Sequence, residues 1–175
     1  MKNIIFANIC RMKNKRTLLL LTGLIACIFF YSCKKTNQTS IHALFSGGRW
    51  QLASVIATYY TGNTQDSTKV LTDSCSTSQY FTFSADNTCT YINFDCITQS
   101  PTGSWALSPN QLFLYAQVIC KDTSAAHSSA PFSNAQIQNL GQYSMVLRTG
   151  DVAPNYSINK KRRIIEYGFI RQKSP

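Results

Sequence analysis

The seven cysteines carry most of the reactive potential of this chain: Cys10, Cys27, Cys33, Cys75, Cys89, Cys96 and Cys120. A thiol can be acylated, ligate a metal or close a disulfide, and its neighbours decide which. No Cys-x-x-Cys occurs, so no zinc or other metal site is expected. The two histidines stand apart, His42 in a polar stretch and His127 in a Ser/Ala-rich loop, with no Gly-x-Ser-x-Gly to supply a partnered serine. Glu166 is the only glutamate; between Ile165 and Tyr167 it reads as the solvent side of a strand. Asp86 falls in a tight turn, Asp95 beside Cys96 and Asp122 in a loop, so no two carboxylates are spaced for glycoside hydrolysis. A P-loop, a dinucleotide fingerprint and an EF-hand loop are all missing, so no cofactor is expected. These residues predict no catalytic site, and the expected protein is not an enzyme.

Cys33 has a different setting. Residues 17–32 are sixteen residues without a charge, preceded by Lys13, Lys15 and Arg16. A basic start, an apolar stretch and a small residue at its end have the form of a secretory signal. The run is shorter than the roughly 20 residues of a spanning helix. Met12 could begin such a signal by itself, which makes residues 1–11 an expected upstream extension. The run ends Ser32-Cys33-Lys34-Lys35, and this resembles the lipobox of bacterial lipoproteins. That resemblance implies acylation of Cys33, a mature chain starting there, and a membrane-anchored place in the cell envelope. Leu24-Ile25-Ala26-Cys27 also fits the pattern, but cleavage there would leave an exposed apolar run at the new terminus. An uncleaved anchor is the third alternative. All three put the remainder outside the cytoplasm. Residues 33–46 read as a lipidated cysteine and flexible tether.

Charge follows the same division. The chain has a formal net charge of +10, but five of its 17 basic residues precede Cys33, where there is no acid. The other twelve against seven acids leave only +5. That balance, without a basic recognition motif, argues against nucleic acid as a partner. The one charge run, Lys160 to Arg163, reads as the solvated opening of a strand.

From Gly47 to the end the pattern has period two, with turn signals between short runs. Eight strands are predicted: 49–60, 79–84, 88–94, 103–107, 111–118, 134–140, 143–148 and 162–171. Residues 61–74 and 119–133 read as two long polar loops. Mostly short connections favour an all-β, antiparallel, up-and-down eight-stranded barrel or strongly curled sheet. A two-sheet sandwich has the same alternation. One face would carry Phe81, Phe83, Ile92, Phe94, Trp105, Leu107, Leu112, Leu114, Met145, Leu147, Tyr167 and Phe169.

Hairpin register then bears on the cysteines. The turn at 85–87 sets Ser84 opposite Thr88, which brings Cys75 opposite position 97, next to Cys96. The turn at 109–110 puts Cys120 near position 99, at the same barrel end. Cys75–Cys96 is the expected disulfide, with Cys75–Cys120 and Cys96–Cys120 as alternatives. Cys89, opposite Phe83, is expected to pack as a small apolar residue.

Gly48-Arg49-Trp50 opening the first strand, the Gln79–Tyr91 block, Gly103-Ser104-Trp105 and the 134–147 run together resemble the lipocalin-like domains of bacterial envelope lipoproteins. The resemblance spans residues 44–172; the Thr-Asp-Tyr motif of classical lipocalins is absent. It implies a barrel whose closed end is plugged by Trp50 beneath a basic side chain from the last strand, here Arg171. It also implies a binding protein for a small apolar ligand, with Phe83, Phe94, Trp105, Leu114 and Tyr167 as candidate lining. A filled barrel acting as an inhibitor or accessory subunit of an envelope complex is the alternative.

Overall fold

The computed structural model describes residues 41–71 and 75–172. The signal segment, Cys33 and Cys27 lie outside those residues. Residues 41–175 form one compact unit with its own core.

Alternating apolar residues and tight turns produce eleven strands: β1 (Arg49–Thr61), β2 (Thr64–Val70), β3 (Tyr80–Phe83), β4 (Thr88–Ile92), β5 (Thr102–Leu107), β6 (Phe113–Gln117), β7 (Cys120–Lys121), β8 (Ser128–Ser129), β9 (Ala135–Leu140), β10 (Ser144–Gly150) and β11 (Lys161–Gln172). The main sheet runs β11-β10-β9-β6-β5-β4-β3-β1, and β11 pairs back onto β1. That last pairing closes an eight-stranded antiparallel barrel, so the sandwich alternative is out. All eight expected strands are present with ends moved by a few residues.

β1 and β11 are too long for the barrel. On one edge β1 pairs first with β3, through Arg49–Gln51, and then with β2, through Ile56–Thr61. β1, β2 and β11 therefore rise above the barrel as a small sheet. β2 occupies what the sequence suggests is a polar loop. All seven of its residues are exposed, so it lacks the half-apolar alternation that marks a strand. β2 forms as the return arm of a hairpin on β1, around Gly62 at φ 57°. Arg162 braces this tip. It is buried, donates from Nη2 to the Gly62 carbonyl at 2.9 Å, and lies 3.5 Å from the ring centre of Tyr156. The charge run is thus not wholly solvated.

The second long loop is also more ordered than its composition suggests. It contains the β7–β8 hairpin, and Phe132 turns fully into the core. The tether likewise ends earlier than expected. Residues 41–46 are helical, and Phe45 is fully buried against Phe83 and Trp105, with ring centres 5.0 and 5.6 Å away. The folded part therefore takes in residues 41–46, ahead of Gly47. An apolar run as short as Ile41 to Phe45 is a weak signal, and here it is enough to seat a helical turn, with Ile41 also packed on the core.

One strand is also out of the expected phase, and another starts later than expected. On β4 it is Cys89 and Tyr91 that face inward, and Ile92 is only half-buried. Asn93, left-handed at φ 58°, resets the chain so that Phe94 enters the core from a short 3-10 turn (Phe94–Cys96). Gln111, at φ 59°, does the same before β6, leaving Leu112 exposed while Leu114 is fully buried.

Candidate functional site

The closed end is built from the residues of the Gly-x-Trp motif. Trp50 is fully buried, its indole N–H donates to the Phe45 carbonyl at 3.0 Å, and the Arg171 guanidinium stands 4.5 Å from its ring centre. Arg171 also donates to the Leu44 carbonyl, tying the helical segment to the last strand. His42 stacks on Trp105 at 4.5 Å between ring centres and meets Asn87 of the β3–β4 turn at 3.2 Å. Both histidines are thereby placed: His42 at the closed end and His127 in the β7–β8 turn.

Above this plug the interior is filled. Phe81, Phe83, Tyr91, Phe132 and Phe169 form a continuous aromatic stack with neighbouring ring centres 4.1–6.3 Å apart. Three of the candidate lining residues belong to this packed body. Phe83 and Leu114 are buried, and Trp105 sits near the plug with its indole N–H donating to the Ser84 carbonyl at 3.0 Å. Trp105 therefore lines neither lobe of the opening at the other end. Phe94 and Tyr167, the other two, do line an opening.

That opening is a cleft at the opposite end, where the raised β1–β11 sheet faces the 3-10 turn and the β7–β8 hairpin. It has two lobes of about 280 and 440 Å³ that share Phe94, Asp95, Arg163, Ile165 and Tyr167. The first lobe adds Leu52, Val55 and Leu71, and is walled by the Cys75 and Cys96 pair. The second adds the hydroxyl-bearing Thr123, Ser124, Ser129 and Thr149. The register explains the lining: Val55 opposes Tyr167 and Ala57 opposes Ile165, so these side chains share the face that looks over the mouth.

The polar groups of the cleft divide into those that hold loops and those that do not. The Asp95 carboxylate accepts from the Thr123 N–H at 2.8 Å and from its hydroxyl at 2.7 Å. Asp122 accepts from the Ser124 N–H at 3.1 Å and hydroxyl at 2.5 Å, and these bonds hold its carboxyl below the ordinary range. Burial raises the Tyr167 phenol above its ordinary value, and the Arg163 cation opposes that shift. The rim is strained: Asn93, Asp95 and Cys96 are all left-handed without being glycine, at φ 58°, 52° and 62°.

Cys75 and Cys96 are bonded, with Cα atoms 5.4 Å apart. The hairpin register behind that expectation is also present, since Phe83 opposes Cys89 and Tyr80 opposes Ile92. Cys120 is at the same end, where Gln99 donates to the Lys121 carbonyl and accepts from its N–H, both at 2.7 Å. It is unbonded, as is Cys89, and both are buried. Among the described residues no group of three or more His, Cys, Asp or Glu could hold a metal, and no helix is long and apolar enough to cross a membrane. No family model matches the chain, and no curated protein matches it.

Proposed function

We propose that this is a lipid-anchored protein of the bacterial cell envelope that binds a small, largely apolar ligand at the mouth of its barrel. The cleft carries the reading: a preformed recess with Leu52, Val55, Leu71 and Ile165 on its walls and a few convergent polar groups, as small-molecule sites have. The ligand sits on the filled barrel and not within it. The Cys75–Cys96 bridge supports export, because disulfides persist in oxidising compartments. Acylation of Cys33 is the proposed anchor; Cys33→Ser should abolish lipid labelling and leave unprocessed precursor, while label lost only in Cys27→Ser would refute it.

Binding is tested by titrating the 34–175 fragment, which retains the whole described core, with N-phenyl-naphthylamine and following its fluorescence. Saturable binding is expected, and Ile165→Trp, which fills the junction of the two lobes, should remove it. No saturable binding to the wild type, or binding untouched by Ile165→Trp, refutes the cleft. The filled interior favours a second reading, an accessory or inhibitory subunit that presents its loops. A stoichiometric protein partner from envelope extract, together with absent dye binding, would establish it instead.

A further inference from the structure

The charges around the mouth are not equally free. Asp95 and Asp122 turn their oxygens to Thr123 and Ser124 of the facing hairpin. Asp151 is paired with the Lys160 ammonium at 3.5 Å and accepts the Arg163 backbone N–H at 3.2 Å. The Arg163 side chain is different. Among the described residues its guanidinium makes no ion pair and no hydrogen bond, and it lies 5.9 Å from the centre of the Tyr59 ring. It borders both lobes of the cleft, beside the Tyr167 hydroxyl end and directly above the apolar wall. Lys69 adds a second cation to the same sheet face, since Lys69 and Ile165 both oppose Ala57 of β1.

A guanidinium is a planar fork of five N–H donors matched to an oxyanion, and the donors left over in this cleft are those of Arg163. We propose that the cleft selects an amphipathic monoanion, with its oxyanion head on Arg163 and its apolar body against Leu52, Val55 and Ile165. This rests on the cleft being a ligand site. The aspartates on the other wall do not reverse the preference. Their repulsion acts across a solvent-screened mouth, whereas the head contacts Arg163 directly through charge-assisted hydrogen bonds. The 280 Å³ of the apolar lobe, at the lower end for small-molecule pockets, limits the body to a short chain or one fused ring system.

Two dyes with the same aromatic body separate the terms: anilinonaphthalene sulfonate carries the anion and N-phenyl-naphthylamine does not. The wild-type 34–175 fragment should bind the sulfonate about tenfold more tightly, the worth of one charged hydrogen-bond pair at a partly wet site. Arg163→Gln should bring the ratio of sulfonate to neutral-dye affinity from about ten down to about one. Arg163→Lys should recover part of the difference. Decanoate should displace the sulfonate from the wild type, and decanol should do so only weakly. If both dyes bind alike and Arg163→Gln changes neither, the anion preference is refuted while the cleft survives as a ligand site. If neither dye binds, the cleft itself fails and the preference fails with it.

Discussion

Phe45 offers the sharpest test of where the fold begins. Its ring is fully buried, packs edge-on to Phe83, and lies beside Trp105, while its carbonyl accepts the Trp50 indole N–H. Truncating a buried Phe to Ala removes the transfer free energy of the ring and leaves a cavity, together about 3–5 kcal/mol. The two ring–ring contacts put Phe45 toward the upper part of that range, at about 0.5–1.5 kcal/mol per aromatic pair. A residue in a flexible tether would cost no more than about 0.5 kcal/mol. Phe45→Ala should therefore lower the melting temperature by roughly 10–20 °C for a domain of this size. Phe45→Leu, which keeps most of the apolar area, should recover much of the loss. Urea unfolding followed by tryptophan fluorescence reports the change directly, because Trp105 packs beside this ring and the Trp50 indole N–H bonds to its carbonyl. A loss below 1 kcal/mol in Phe45→Ala would place residues 41–46 with the tether and refute the plug.

The Cys75–Cys96 bridge spans a sequence separation of 21, and its reduction should cost about 3 kcal/mol on chain-entropy grounds, read as a lower urea midpoint after mild reductant. Burial pushes the thiols of Cys89 and Cys120 from their ordinary 9.0 up to about 11 and about 12. Between those values the unfolded chain gives up protons that the folded chain keeps, so stability should be full below about pH 9 and fall as pH rises toward 11–12; Cys89→Ala with Cys120→Ala should flatten that decline in urea titrations, and an unchanged slope would refute it. A Cβ on Gly103 would collide with the Gln117 carbonyl across the β5–β6 pair, so Gly103→Ala should destabilise by about 1–3 kcal/mol in thermal melts.

The barrel was legible because its strands alternate and its connections are short, features that need no tertiary context. The disulfide followed from the same register. What stayed hidden did so for local physical reasons. β2 has no apolar face, so pairing with β1 alone makes it a strand. Phe132 stands alone among Ser, Ala and Pro, and Phe45 ends a run of five residues too short to read as a helix; only the ends of a barrel give them somewhere to go. Ile92 was misplaced because left-handed Asn93 shifts the alternation by one without a glycine to announce it, and Leu112 because β6 starts only at Phe113, past left-handed Gln111. At the site, Tyr167 could be anticipated from its strand face, whereas Phe94 reaches the cleft from a 3-10 turn beyond the strand expected to carry it. Arg163 could not, because its importance depends on which carboxylates are already held by Thr123 and Ser124.

The pairing of β1 with β11 has a consequence for how the molecule is made. Arg49 lies beside Gln172, so closing the ring joins positions 123 apart in sequence, 172 less 49. Contacts of such separation are formed late and slowly, because the loop between them must be ordered first. A chain emerging from a ribosome or a translocation pore can assemble β3 through β10 hairpin by hairpin. Until β11 arrives, β1 and β10 each present an open edge. Those edges are the templates on which strands from other chains could add. β11 therefore acts as a completion signal: a chain in which it has not docked is both unclosed and prone to aggregate.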